Sequence, residues 1–116
     1  MRTIKFRGKS LETGQWHYGY YKQDYLPNTW KAIHYIVALD FEFEVMPETV
    51  GEFTGLHDHY GREVYEGDII RFPDIAKEAE VAFVLGEFVA LDMFNKKYSL
   101  TSSGDYMVIR NKHDKQ

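Results

Sequence analysis

Apolar and polar residues alternate along most of the chain, in short runs separated by turn-forming residues. The first two runs cover residues 4–7 and 16–21, on either side of a turn at residues 12–14. Alternation with a period of two is the pattern of a half-buried β-strand. These runs therefore predict an N-terminal β-hairpin.

Further runs follow at regular intervals. Residues 32–39 are almost continuously apolar, as in a buried strand, and residues 40–45 alternate between acidic and apolar side chains. Residues 23–29 are polar and contain Pro27-Asn28, which predicts a loop. Additional strands are predicted at residues 51–54, 63–65, 68–72, 80–85, 87–91 and 106–109. We also expect a connector with one helical turn at residues 73–78 and a frayed end at residues 111–116.

The spacing of these runs sets the fold class. Strands about ten residues apart, with turns between them, favour an all-β barrel or sandwich over alternating strands and helices. The large share of tyrosine and phenylalanine, 17 of 116 residues, also suits pleated, half-buried surfaces. A chain of this length is expected to form one domain with a modest core.

Composition excludes several classes of chemistry. The chain has no cysteine, which removes disulfides, thiolate metal ligands and cysteine nucleophiles. Its N-terminal residues lack the apolar core of a signal peptide, and no apolar run approaches the roughly 20 residues that span a bilayer. We therefore expect a cytoplasmic protein that does not enter the membrane.

Charge is unevenly distributed along the chain. Residues 1–39 have six Lys/Arg and two Asp/Glu, residues 40–92 have three and fourteen, and residues 93–116 have five and two. The acidic middle and the basic flanks are expected to attract each other, within the fold or between subunits. The overall charge of −4 argues against a strong nucleic-acid surface made by the two ends.

The N-terminal hairpin is the candidate interaction surface. Its cations and aromatic residues are Lys5, Arg7, Lys9, Trp16, Tyr18, Tyr20 and Tyr21. Aromatic rings on a sheet with flanking cations can stack and hold single-stranded nucleic acid. However, alternate aromatic residues also share one strand face, so burial in the core or in a subunit interface is the favoured interpretation.

Three other motifs are better explained without catalysis. Gly8-Lys9-Ser10 has Thr3 where a phosphate-binding loop needs its first glycine, and a hairpin turn follows instead of a helix. Asp40, Glu42 and Glu44 form the solvated face of a strand, whereas catalytic carboxylates usually come from different segments. Ser102-Ser103-Gly104 is a polar turn rather than a strained nucleophile elbow.

His57-Asp58-His59 is the one histidine cluster of the sequence. Two imidazoles at positions i and i+2 can share a strand face, so a zinc or nickel site is geometrically conceivable. A catalytic zinc site needs three protein ligands, and the remote His17, His34 and His113 are poor candidates for the third. We favour an exposed turn, and we predict no catalytic residue, no cofactor and no metal.

Residues 53–72 are dense in glycine and acidic residues that suit closely spaced turns. Gly55 is expected to end a strand, and Gly61 to close a loop that starts at Asp58. Gly67 follows Glu66 at a position that needs a positive φ, and Asp68 is expected to accept backbone N–H groups where the next strand begins.

The same region resembles a known family. Residues 47–56, followed by Asp58, Gly61 and residues 63–70, closely resemble the YopX family of bacteriophage and prophage proteins. The opening residues 4–7, with Gly14, Trp16 and Tyr18, look like the N-terminal hairpin of that family. The resemblance implies a small, mainly β protein without an assigned activity, whose C-terminal half is similar to an SH3-like barrel, a scaffold for protein or nucleic-acid contacts.

The resulting expectation is an N-terminal β-hairpin or small sheet over residues 1–49, followed by an SH3-like β-barrel over residues 50–116. We expect a non-enzymatic phage or prophage accessory protein that binds an unknown protein partner or associates with itself. The alternative is a nucleic-acid-binding module that uses the basic aromatic hairpin.

Two departures from the family pattern limit which properties of the family can be expected of this chain. His57 and His59 occupy loop positions where the family commonly shows lysine, aspartate or other polar residues, so they are not implied to be a family metal site. The usual C-terminal isoleucine–glycine–asparagine stretch and acidic tail are only echoed by residues 108–111. The family has no established catalytic residues, so none is transferred to this chain.

Overall fold

A computed structural model describes residues 3–73, 77–100 and 104–114. Within this part of the chain the predicted mainly β fold is confirmed, because eleven strands account for most residues and all their pairing is antiparallel. The strands are β1 (Phe6–Lys9), β2 (Trp16–Tyr25), β3 (Ala32–Ala38), β4 (Phe41–Glu44), β5 (Gly51–His57), β6 (Glu63–Tyr65), β7 (Asp68–Phe72), β8 (Lys77–Val84), β9 (Glu87–Leu91), β10 (Lys97–Ser99) and β11 (Met107–Asn111). A 3-10 turn at Pro47–Thr49 precedes β5.

The chain divides into two compact units, Met1–Glu52 and Phe53–Gln116. In the first unit, β1 to β4 form an antiparallel sheet in the order β4-β3-β2-β1. The first residues of β5 extend it, since Gly51 and Glu52 pair with Arg7 and Phe6 of β1. Each strand therefore lies beside its neighbour in sequence, as short hairpin connections dictate.

Val45, which follows β4, connects the end of this sheet to the residues that follow β1. Its amide donates to the carbonyl of His34 in β3, and it also forms an isolated antiparallel bridge with Ser10. Two hydrogen bonds flank the bridge, from Leu11 N to Glu44 O and from Met46 N to Lys9 O. The curled inner side encloses the buried side chains of Ile36 and Val45, and a Cβ at Gly8 would meet the Val45 side chain at about 3.0 Å.

Gly19 marks a close approach between β2 and β3. A Cβ built at this position would lie 2.2 Å from the carbonyl oxygen of Val37. A backbone carbonyl cannot rotate away as a flexible side chain can, so β2 needs a residue without a side chain here.

In the second unit, the remainder of β5 pairs with β6, and β7 to β11 form a five-stranded sheet in the order β10-β9-β8-β7-β11. The buried core cluster comes from alternate positions of these strands and one residue before β11. Its members are Val64, Ile70, Ala79, Val81, Ala90 and Tyr106. Because β10 and β11 are the two edges of this sheet, the described residues do not close it into a barrel, and the predicted SH3-like barrel is not confirmed.

Two strand boundaries in the first part of the chain differ from the sequence prediction. Gln23 to Tyr25 belong to β2 rather than to a loop, because they pair with the apolar start of β3 while their own side chains face water. Gly55 does not end β5, since the strand continues to His57 with an irregular register against β6 and with φ of 86° at Gly55. Glycine at such a position marks a β-bulge instead of a strand end.

The C-terminal third also differs from the prediction. The short strand β10 was missed, and β8 begins at Lys77 inside the predicted connector. Asn111 to Asp114 are not frayed, because the Asn111 amide donates to the Asp114 carboxylate and the Asp114 amide donates back to the Asn111 carbonyl.

Residues 74–76, Ser102, Ser103 and residues 115–116 lie outside the described residues, so the predictions made for them have no counterpart here. No helix in the described ranges has the length and apolar character that a bilayer crossing needs.

Candidate interaction surface

Five of the seven predicted surface residues lie on one face of the first sheet. Arg7 pairs with Tyr18 and Lys9 pairs with Trp16 across β1 and β2, and directly opposed residues share a face. Tyr20 is two positions beyond Tyr18 on β2 and therefore projects to the same side. We call the side that bears Arg7, Lys9, Trp16, Tyr18 and Tyr20 the tyrosine face.

Tyr18 and Tyr20 are surface residues in the chain. Their exposed fractions are 46% and 70%, so the interpretation that they are core residues is wrong, whereas an interface remains a prediction. Trp16 is only partly exposed, with the Arg7 guanidinium 4.6 Å and the Lys9 ammonium 5.3 Å from its ring centroid. Cation–π contacts of this kind fix the orientation of the Trp16 ring and hold positive charge on the tyrosine face.

The other two predicted residues are placed differently. Tyr21 projects to the inner side, where its ring lies 5.7 Å from the Phe6 ring and its hydroxyl hydrogen-bonds to Nδ1 of His34. Burial, followed by the charge of Tyr25, raises the pKa of Tyr21 above its ordinary value. Lys5 precedes β1 and is half-buried. Arg7 itself is buried, so it supports the tyrosine face from below rather than forming its outer surface.

The charges of the tyrosine face balance one another. Lys22 of β2 shares this face, and its ammonium contacts Glu42 at 2.7 Å and Asp24 at 3.4 Å. Register places Glu44 on the same side, opposite Tyr35 of β3. Within strands β1 to β4, three cations (Arg7, Lys9 and Lys22) thus share this face with three carboxylates (Asp24, Glu42 and Glu44). The predicted solvated role of Glu42 and Glu44 agrees with their exposure, whereas Asp40 lies in the preceding turn.

The loop that carries His57 and His59 is organised around Asp58. The buried Asp58 carboxylate accepts four hydrogen bonds of 2.9 Å, from the amides of Tyr60, Arg62 and Val108 and from Nε of Arg62. Burial alone would raise the pKa of Asp58, but these hydrogen bonds together hold that pKa below its ordinary value.

His57 and His59 are both exposed beside this carboxylate. The rings of His57 and Phe53 make a T-shaped contact with centroids 5.7 Å apart, and the His59 amide donates to the carbonyl of Tyr106. Since the Asp58 oxygens already accept four donors, they have little capacity left for a cation. In the described part of the chain, no group of three or more His, Asp or Glu side chains is placed to hold a metal ion.

Two turns of the predicted structural motif place a glycine at a positive φ. Gly61 and Gly67 have φ of 78° and 93°, in the left-handed region that favours glycine. Gly67 also links neighbouring segments, since its amide donates to Val81 O and its carbonyl accepts from Lys112 N. Asp68 is buried, and its carboxylate accepts the Tyr65 amide at 2.8 Å across the Glu66-Gly67 turn.

Ser10 has a local role in the first turn. Its hydroxyl accepts the amides of Glu12 and Thr13, and its carbonyl accepts the amide of Gly14. Gly8-Lys9-Ser10 is thus the end of a strand followed by a hairpin turn, which agrees with its interpretation as a chance match to a phosphate-binding loop.

Sequence reasoning missed the exposed tip of the β2–β3 hairpin. Trp30 is 96% exposed, and Tyr25 and Leu26 beside it are exposed as well. The segment was interpreted as a polar loop because of Pro27-Asn28. The sequence does contain a signal for this surface, because three large apolar residues flank the turn. A connection that only faces solvent does not require them.

A second feature missed from the sequence is a cavity in the second unit. It measures about 410 Å³ and is lined by Lys77, Glu78, Asp92, Met93 and Phe94. The side chains of Met93 and Phe94 are largely exposed and form its apolar wall. Asp92 holds the loop that carries Met93 and Phe94, because its carboxylate accepts the amides of Phe94 and Lys96 at 2.9 Å.

Comparison with known proteins places the chain in a family. Among curated proteins, none matches the sequence. The family model described as YopX protein matches residues 5–112 of the 116 residues, so it spans both compact units. The chain belongs to the YopX family, as the resemblance of its central residues implied.

Proposed function

We propose that the protein is a non-enzymatic binding module that contacts another protein through its tyrosine face. Its setting in this proposal is the bacterial cytoplasm, as an accessory protein of a phage or prophage. The observation that carries the proposal is the display of Tyr18 and Tyr20 on one face of a strand that is paired on both sides. An SH3-like arrangement of residues 50–116 is also part of the proposal, since that scaffold is used for binding.

Tyrosine is suited to such a contact. Its ring supplies a large apolar area with only two side-chain torsions to immobilise, and its hydroxyl can hydrogen-bond at the edge of an interface. A paired β-strand holds the backbone of Tyr18 and Tyr20 before the partner arrives, which reduces the entropy lost on association. Neighbouring charges of both signs, such as Lys22 and Glu42, would form the polar rim that surrounds many interfaces.

Nucleic acid is the second candidate ligand. The Arg7 and Lys9 cations against the Trp16 ring are the observation that favours it, since aromatic and cationic groups together hold single strands. However, the three cations and three carboxylates of the tyrosine face leave no net positive charge. Because phosphate neutralisation supplies most of the non-specific affinity for nucleic acid, the balanced charge favours a protein partner.

Affinity capture from a host lysate tests the proposal directly. The full chain is immobilised and exposed to lysate with and without nuclease treatment, beside a Tyr18→Ser/Tyr20→Ser variant. We expect a protein partner that resists nuclease and whose recovery falls about tenfold or more in the double variant, as expected when interface hot spots are truncated. Tyr60→Ser, at an exposed tyrosine of the second unit, is the matched control and should retain the partner.

Two outcomes would contradict a protein partner at this face. Recovery that disappears after nuclease treatment, or direct salt-sensitive binding of labelled single-stranded DNA, would favour the nucleic-acid alternative. Equal recovery by the wild type and the Tyr18→Ser/Tyr20→Ser variant would place the contact elsewhere on the chain.

A further inference from the structure

The β2–β3 hairpin ends in a two-stranded arm, which comprises residues 23–33. β1 pairs with β2 only from Trp16 to Gly19, and β4 pairs with β3 only from Tyr35 to Ala38. Beyond these limits, Gln23 to Tyr25 pair only with Ala32 to His34 within the described residues. An isolated two-stranded ribbon is marginally stable in water, so the arm adds little to the stability of the sheet.

The connection at the tip of the arm is nevertheless well specified. The Leu26 amide donates to Lys31 O, and the Thr29 amide and hydroxyl both donate to Leu26 O. The Lys31 amide donates to the Thr29 hydroxyl, and Asn28 has φ of 61°, which asparagine tolerates better than most residues. The tip is therefore organised before any partner binds.

Trp30 is the outermost large side chain of this organised tip. Burial of an aromatic side chain away from water is favourable, and Trp30, which is 96% exposed, gains almost none of this stabilisation in the isolated chain. A tryptophan on a preorganised loop is the residue type most often found at the energetic centre of a protein interface. The arm thus has the form of an insertion element that requires a concave, apolar receptor.

Charge distinguishes between the classes of receptor. Residues 23–33 contain one carboxylate, Asp24, and one ammonium, Lys31, so the arm has no net charge. A nucleic-acid groove or an anionic membrane would attract a basic arm, because phosphate contacts supply most of the affinity for such surfaces. A neutral aromatic tip fits an apolar protein pocket instead.

The second unit of the same chain has a cavity with one apolar wall that suits such a tip. The cavity beside Met93 and Phe94 has a volume of about 410 Å³, within the range of roughly 300–1,000 Å³ typical of small-molecule sites. Methionine is flexible and polarizable, so Met93 can repack around an inserted ring. The described lining residues also include two carboxylates and one ammonium, from Glu78, Asp92 and Lys77, and these three groups carry a net charge of −1.

We propose that Trp30 of one copy inserts into the Met93–Phe94 cavity of a second copy, so that the chain assembles head to tail. Lys31 next to Trp30 then approaches the acidic lining of the cavity. Glu78 already accepts hydrogen bonds from Arg71 and Arg110, and Asp92 from backbone amides, so this attraction orients the arm rather than forming a new ion pair.

This contact is independent of the tyrosine face and goes beyond the proposed function. The inserting element and the receptor are different surfaces, which makes the interface heterologous. Such an interface closes into a ring if the rotation between copies permits, and otherwise it extends. In both cases each copy contributes one arm and one cavity.

Fluorescence measures the insertion directly. In a Trp16→Phe variant, Trp30 is the only tryptophan of the chain. We expect its emission to shift to shorter wavelength as the protein concentration rises from low micromolar to millimolar, together with an increase in mass by sedimentation velocity. A chain that stays monomeric with unshifted Trp30 emission over that range would overturn the proposal.

Complementation separates the two halves of the contact. Trp30→Ser removes the arm residue and Phe94→Ser removes the cavity wall, and both side chains are exposed, so neither substitution disturbs the core. Each variant alone should associate at least tenfold more weakly than the wild type. Mixing them should restore a one-to-one dimer, because the Phe94→Ser chain keeps its arm and the Trp30→Ser chain keeps its cavity.

Four further results would contradict this assignment. Association of Trp30→Ser at wild-type strength would exclude the arm, and an equimolar mixture that stays monomeric would exclude the cavity. Loss of self-association in Tyr18→Ser/Tyr20→Ser alone would assign it to the tyrosine face. A Trp30 emission shift caused by single-stranded DNA or by phosphatidylserine vesicles, at a concentration where the protein alone is monomeric, would identify another ligand for the arm.

Discussion

Asp58 and Asp92 hold two loops of the second unit with the same set of hydrogen bonds. In both loops Oδ1 accepts the amides two and four residues later, and the aspartate amide donates to the carbonyl four residues later. The residue three positions after the aspartate has a positive φ, which is 78° at Gly61 and 62° at Asn95. The shared pattern is Asp-x-x-Gly/Asn-Arg/Lys, a turn in which the carboxylate replaces missing backbone partners.

The consequence for stability is greatest at Asp58, whose carboxylate is completely buried. Asp58→Ala leaves several amides without an acceptor, and we expect it to lower the free energy of unfolding by about 2–4 kcal/mol. Asp58→Asn keeps one oxygen as an acceptor but places an NH₂ group where the other oxygen accepts from Val108 and Arg62. It should therefore be intermediate between Asp58→Ala and the wild type in urea denaturation.

Asp40→Asn provides the control for this comparison, because Asp40 is an exposed turn residue. Its effect on the urea midpoint should be within about 0.5 kcal/mol of the wild type. If Asp58→Asn and Asp40→Asn changed stability equally, the hydrogen bonds of the Asp58 carboxylate would not be structural.

The limits of sequence prediction are visible at these two aspartates. The local turn at Asp58 was predicted, since a glycine closes it three residues later, whereas Asp92 was missed although its spacing is the same. The Val108 amide that completes the Asp58 site is 50 residues away in sequence. No local pattern indicates such a partner, because it is brought there only when the second sheet forms.

At the level of strands, two hairpin turns carry leucine in an unfavourable conformation. Leu39 and Leu85 have φ of 55° and 49°, and Leu85 is 98% exposed. With Gly86 at φ of 84°, the β8–β9 connection has positive φ at both central residues, for which Asn-Gly is the preferred pair. A left-handed conformation costs a non-glycine residue roughly 1–2 kcal/mol, and Leu85 gains no burial in return.

Leu85→Asn should therefore stabilise the chain by about 1 kcal/mol, as measured by the urea midpoint with an unchanged slope. Leu85→Ala is the matched comparison, because it removes the exposed apolar surface but keeps an unfavourable residue in the turn. Stabilisation of equal size by both substitutions would attribute the effect to lost surface rather than to backbone conformation.

Most strands were predicted from alternation, and the errors share one cause. Residues 23–25 and β10 form strands because a neighbouring strand offers backbone partners, not because their own side chains alternate clearly. The same error hid the arm, since Trp30 was assigned to a polar loop. The tyrosine face was predicted more closely because period-two alternation fixes which side chains of β2 project together, although not which side is buried.

For the molecule as a whole, the pH dependence of stability follows from its carboxylates. Hydrogen bonds from Arg71 and Arg110 lower the pKa of Glu78, and the Lys96 amide, opposed by burial, contributes most to lowering that of Asp92. Together with Asp58, these groups bind protons more weakly in the folded chain than in the unfolded chain. Their contribution to stability is complete above the ordinary pKa of about 4 and is lost as pH falls through and below it.

We thus expect the thermal midpoint to be nearly constant from neutral pH down to about pH 5 and to fall steeply below about pH 4. Differential scanning fluorimetry across this range checks the prediction. Asp58→Asn should show a shallower fall, because it removes one of the titrating groups. A wild-type midpoint that rises on acidification would contradict the assigned direction of these pKa shifts.

The close approach at Gly19 also determines which side chains the protein displays. If β2 slipped by one residue against β3, Tyr18 or Tyr20 would take the position of Gly19. Its Cβ would then lie only 2.2 Å from the Val37 carbonyl oxygen, which is a steric clash. The same slip would turn His17 and Tyr21 outward, because facing alternates along a strand. Gly19 therefore acts as a register lock, and the identity of the outward surface is specified by a residue that has no side chain of its own.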